Sequence, residues 1–136
     1  MTKILTATLV VGLITVSALG QSFARVRIPF AFFVGDVELP AGSYELEAVN
    51  SNAMRITNLD DRNKTVAFNP IVARRSDASS NSTMLVFTRY ATDHYLSEVW
   101  PPGTLAGRAI VKSGQEIQLS KKVQPVRIES ITASRP

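Results

Sequence analysis

The chain has 136 residues, no cysteine and a formal charge of +4. This length accommodates one domain, and the absence of thiols excludes a disulfide framework, a cysteine zinc site and a lipid-accepting cysteine. The charge is mild and uneven: Arg25–Gly107 carries eight basic and nine acidic residues, whereas residues 108–136 carry six and two.

The first predicted element lies outside the folded domain. The segment "MTKILTATLVVGLITVSALGQSFA" has a positive start at Lys3 and an apolar run from Ile4 to Val16. Small residues follow at cleavage spacing, either Ala18 with Gly20 or Ser22 with Ala24. This order is that of a secretory signal peptide. Thr6, Thr8, Thr15 and Ser17 dilute the run, which falls short of the ~20 apolar residues that a span needs. No twin-Arg pair precedes it, which favours the general secretion route. Cleavage is expected after residue 20 or 24, leaving one β-rich domain over residues 25–136 with no stable membrane anchor, periplasmic or extracellular. Loss of residues 1–24 removes only Lys3 among the charged residues and leaves +3. A domain of that size can bury a sufficient core without disulfides.

The mature chain opens with "IPFAFFVGDVELPAGSYEL", from Ile28 to Leu46. Ile28, Phe30, Phe32 and Val34 alternate and share one strand face. Pro29 cannot donate to a ladder and points to an edge or to a strand's first residue. Gly35-Asp36 and Pro40-Ala41-Gly42 are turn signals. Tyr44, Leu46 and Ala48 then alternate with Ser43, Glu45 and Glu47, as on a half-buried antiparallel strand. Met54 and Ile56 point inward, with Arg55 and Thr57 outward. Val66 and Phe68 follow. At Asn69-Pro70 the apolar parity slips to Ile71 and Ala73, which predicts a bulge or bend.

"TMLVFTRY" is apolar on both faces and reads as a central strand, "ATD" as a turn, and "HYLSEVW" as its partner. The period then changes. Ser113 and Glu116 match a capping box, Lys121 and Lys122 suit a helix C-terminus, and Gln124-Pro125 stops it. One short helix is predicted over about Gly114 to Lys122, followed by a last strand in "VRIESITA". Many short strands between turn signals predict a mainly β domain, an antiparallel sandwich or small barrel with one short C-terminal helix.

Three segments, "IPFAFFVGDVELPAGSYEL", "FTRYATDHYLSEVWPPG" and "GRAIVKSGQEIQL", taken together and in this order, resemble a family of small exported bacterial β-rich proteins of the acidobacterial type. The resemblance covers most of the mature chain. It implies export and a compact β-rich domain, and it transfers no catalytic or binding residue.

No residue pattern predicts catalysis. Asp93, His94 and Ser97 have the residue types of a nucleophilic triad, but on a strand His94 and Ser97 point to opposite faces, and no nucleophile elbow surrounds Ser97. His94 is the only histidine, so with no cysteine the usual zinc sites are excluded. Asp60-Asp61-Arg62-Asn63 lacks the spacing and closing Glu of a calcium loop, and no glycine-rich phosphate loop is present. No catalytic, cofactor-binding or metal-binding residue is therefore expected. Glu45 and Glu47 read as a solvated strand face rather than a carboxylate pair across a cleft. Glu98 is expected to form an ion pair with Arg89 or Arg108.

The ligand-surface candidates are Tyr90, Tyr95, Glu98 and Trp100, because flat rings with polar tips suit glycans and apolar ligands. No aromatic residues interleave with the basic residues, which argues against nucleic acid. The basic C-terminal segment suits an anionic surface or polymer, or a solvated tail. The expected function is that of a non-enzymatic exported β domain, a structural or interaction module. The alternatives are a small barrel binding an apolar ligand or glycan, then a hydrolase. A cavity lined by Phe30, Phe32, Phe68 and Phe87 would favour the ligand; a filled interior would favour the interaction module.

Overall fold

The computed structural model describes residues 21–74, 82–102 and 105–131. These residues form two sheets and one helix, and neither sheet closes into a barrel. The first sheet has the order β1-β4-β5-β6, from β1 (Gln21–Ile28), β4 (Gly42–Asn50), β5 (Ala53–Asn58) and β6 (Thr65–Phe68). The second has the order β11-β8-β9-β10-β7, from β7 (Ile71–Arg74), β8 (Met84–Tyr90), β9 (Asp93–Trp100), β10 (Ala106–Ala109) and β11 (Pro125–Ile131). A short hairpin, β2 (Phe32–Val34) with β3 (Val37–Leu39), attaches to β9. It does so through a parallel contact of Phe33 with Tyr95, while the other pairings are antiparallel.

The alternation along the strands explains the sandwich. Ala24, Val26, Ile28, Tyr44, Leu46, Met54 and Ile56 from the first sheet meet Phe32, Leu39, Leu85, Phe87, Leu96 and Val99 from the second in one core. Phe32 stands edge-on to Tyr44 and to Phe87, at ring centroid distances of 5.1 and 5.6 Å. Phe30 and Phe68 are partly buried and pack on the same core. The four phenylalanines thus pack in or against one core.

Two expectations are sharpened here. The stretch from Ile28 to Leu46 does not form one strand pair within one sheet. The chain leaves the first sheet at Pro29, forms β2 and β3 on the second, and returns at Gly42. At the two-residue turn between them, Gly35 takes the positive φ of 60° that favours glycine at the first central position. The parity slip at Asn69-Pro70 is likewise a change of sheet, not a bulge: β6 edges the first sheet and β7 the second. Once the chain has crossed over, the parity of β6 no longer constrains that of β7.

The helix α1 runs from Gly114 to Lys122, with Ser113 as its N-cap. Ser113 Oγ accepts from the Glu116 amide at 3.2 Å. The Glu116 side chain does not complete the predicted capping box. Its carboxylate turns to the second sheet and accepts from Tyr90 Oη at 2.8 Å.

Candidate functional site

The four ligand-surface candidates do not form one exposed surface. The Tyr90, Tyr95 and Trp100 side chains are buried, with exposures of 1%, 1% and 3%. Tyr90 and Tyr95 come together edge-on at 5.7 Å, and Phe33 stacks on Tyr95 at 4.8 Å. Trp100 lies apart, in a second cluster with Met84 and Val86, and Gly107 sits so close to its ring that a Cβ there would fall 2.5 Å from it. The rings lie on the outer face of the second sheet, opposite the core, where Glu116 of α1 meets Tyr90 and Phe33 of the β2 hairpin stacks on Tyr95.

Glu98 pairs with neither Arg89 nor Arg108. Its Oε2 accepts from Arg127 Nη1 at 2.6 Å, and Arg127 also reaches Glu129 at 3.2 Å. This pairing joins residues far apart in sequence that the β8–β11 and β8–β9 ladders bring side by side.

The polar groups beneath α1 are strongly coupled. Glu116 is buried, and desolvation raises its carboxyl above the usual range, against the opposing effects of the Tyr90 hydrogen bond and the Lys112 charge. Tyr90 is pushed up to about 12 by burial and by Glu116. Tyr95 is also raised, first by burial and then by Asp93, Glu116, Asp36 and Glu38. These groups anchor the helix to the sheet.

His94 is half-buried and stacks on Phe30 at 3.9 Å, with the rings 18° from parallel. Burial and the Arg89 charge lower its pKa, against the Thr92 backbone and Asp93, which raise it. Ser97 faces away from it and shares a 2.6 Å hydrogen bond with Thr88 Oγ1. Ser97 is the extra residue of a bulge, since Val86 pairs with Glu98 and Phe87 with Leu96. The three residues Asp93, His94 and Ser97 therefore form no relay. Glu45 and Glu47 lie on the outer face of the first sheet, each in an ion pair, with Arg25 at 3.5 Å and Arg55 at 2.8 Å. Among the described residues no group of three acids or histidines gathers as a metal site.

What the structure adds is a cleft at one end of the sandwich, of about 330 Å³. Phe23, Ala48 and Met54 form its wall on the first sheet; Pro101, Ala106 and Arg108 form the wall on the second. Phe23 has the wrong parity for this role on a regular strand, because Ala24, Val26 and Ile28 face inward. A bulge supplies the correction: Ser22 pairs with Glu47 and Ala24 with Leu46, so Phe23 is the extra residue. Bulges re-aim side chains in this way. A second irregularity, at Val49 between Ala48 and Asn50 of β4, bends the facing strand at the same end.

Arg108 is the charged residue of the cleft. Its Nη1 donates to the Gly107 carbonyl at 3.2 Å, and among the described residues it forms no ion pair. Sequence reasoning considered Arg108 only as a partner for Glu98 and missed Phe23. The local signal of such a register shift is weak. The chain matches no family model, no curated protein and no solved structure.

Proposed function

We propose that the chain is an exported, non-enzymatic binding module that engages its partner at the cleft between the ends of its two sheets. The observation that carries this reading is the contrast between the core and that end. Phe32, Phe87 and their neighbours pack together in one core, while the cleft has a mostly apolar lining around one cation, with Asn50 and Ser51 as its uncharged polar members. A concave, mostly apolar site with few polar groups is the usual form of a binding site.

The surroundings of His94 support the absence of catalysis. Its ring is stacked on Phe30, and Ser97, the hydroxyl of the triad pattern, faces the other side and is bonded to Thr88. A general base must reach the proton it takes. The paired states of Glu45, Glu47 and Glu98 support the same view. Export rests on the order of Lys3, the apolar run and the small residues, and on the resemblance to small exported β-rich proteins. Among the described residues no helix is long and apolar enough to cross a membrane.

The test is a panel of ester, glycoside and peptide substrates, run on the purified protein and on His94→Ala. No turnover by either is expected. Turnover in the parent that disappears in a folded His94→Ala variant would refute the non-enzymatic reading.

A further inference from the structure

The proposed cleft has a chemistry of its own. Its two walls offer Phe23, Met54, Pro101 and three alanines, and its volume of about 330 Å³ is at the small end of ligand sites. A partner that fits must be slim and largely apolar. The single formal charge in the lining belongs to Arg108.

Among the described residues no carboxylate pairs with that charge. The nearby acid on β9, Glu98, is taken by Arg127, and the acids on the first sheet are held by Arg25 and Arg55 on its outer face. Among the described residues the guanidinium of Arg108 makes one hydrogen bond, to the carbonyl of its own neighbour. Its remaining N–H groups keep the planar fork that matches a carboxylate or phosphate. A half-buried cation beside apolar walls attracts an anion more strongly than one in open water, because screening is weaker there.

We infer that the cleft binds a small amphipathic anion, with its apolar chain between Phe23 and Met54 on one side and Pro101 and Ala106 on the other, and its anionic head on Arg108. This rests on the reading of the cleft as the binding site and adds the class of ligand. Neither half of the ligand is sufficient: an inorganic anion would forgo the apolar walls, and an uncharged chain would leave Arg108 unanswered.

The test uses decanoate as the probe and decanol as its uncharged match, titrated into the isotopically labelled protein while backbone amide shifts are followed. Decanoate should move the amides of Phe23, Ala48, Met54, Ala106 and Arg108, and should bind at least tenfold more tightly than decanol. Arg108→Met keeps the apolar stem and removes the charge. It should weaken decanoate at least tenfold and leave decanol within about twofold. Inorganic phosphate should produce no saturable shifts at these residues. If decanol binds in the cleft as tightly as decanoate, or if Arg108→Met leaves decanoate unchanged, the anion assignment falls and the cleft stands. If neither probe moves the cleft amides, both the assignment and the cleft reading fall.

Discussion

Phe32→Ala should be among the most damaging single substitutions in this protein. The Phe32 side chain is fully buried at the meeting of the two sheets, edge-on to both Tyr44 and Phe87. Truncation of a buried phenylalanine costs ~3–5 kcal/mol, from lost transfer energy plus the cavity left behind. Each aromatic pair contributes ~0.5–1.5 kcal/mol beyond its area, so two such contacts place this site near the upper end. Phe33 provides the comparison. It is half-buried on the opposite face and has one stacked partner, Tyr95. Its loss should cost about 1–2 kcal/mol, one exposed-side stack with partial burial. Urea unfolding of the two alanine variants measures the difference. For a domain of this size an m-value of ~1–3 kcal/mol/M converts a gap of ~2 kcal/mol into a midpoint shift of about 1 M. Phe32→Leu keeps most of the volume and supplies a folded reference if Phe32→Ala does not fold. Equal losses at Phe32 and Phe33, or a loss below ~2 kcal/mol at Phe32, would refute the assignment of Phe32 to the inter-sheet core.

The mature protein should begin at Gln21 and not at Arg25, because cleavage after Ala24 would remove half of β1, including the buried Ala24 and the cleft residue Phe23; intact mass of protein from the native host distinguishes these, and Met1 would refute export itself. The pKa of His94 is lowered on folding, so the unfolded chain takes up its proton first and stability falls as pH drops below about 6.5; His94→Phe keeps a ring on Phe30 and should flatten that limb of the stability–pH curve. Glu116 is shifted the opposite way: its carboxyl is raised, so its contribution is present below the ordinary value of 4.5 and is lost as pH rises through the higher folded value. Glu116→Gln keeps an acceptor for Tyr90 and should gain stability relative to the parent as pH rises from 4 to 8, read by thermal melts; a constant difference would refute the shift. Ala91 holds a positive φ of 57° in the β8–β9 turn, and Ala91→Gly should stabilise by ~0.5–1 kcal/mol through relief of that strain, measured by urea melts.

Local signals carried most of the fold. The helix over Gly114–Lys122 was legible because its cap, acidic first turn and basic last turn lie within a few residues of each other. Strand faces such as Tyr44, Leu46, Met54 and Ile56 were legible because alternation is local as well. What sequence could not supply was partnership between distant strands. The burial of Tyr90 and Tyr95 on the outer face of the second sheet depends on Glu116 of α1 and Phe33 of the β2 hairpin. The Glu98–Arg127 pair depends on β9 and β11 flanking β8. Phe23 enters the cleft by a register shift, which the local sequence marks only weakly. The off-parity position of a large apolar residue in an otherwise alternating strand was the available hint.

The division of the strands between the sheets also sets an order of events during synthesis. The first sheet is built from residues 21–58 and 65–68, with the β2 hairpin looped out between β1 and β4. It can pair fully before any of β8 to β11 has been made. The second sheet depends on distant partners: Phe33 must wait for Tyr95, and β8 for β11. Non-local pairings of this kind slow folding. A half-made chain would therefore hold a paired first sheet whose inner face, with Val26, Ile28, Tyr44, Leu46 and Ile56, still lacks its cover. Such exposed surfaces are where growing chains aggregate, so the nascent protein should engage holding chaperones until the region from residue 84 onward has emerged.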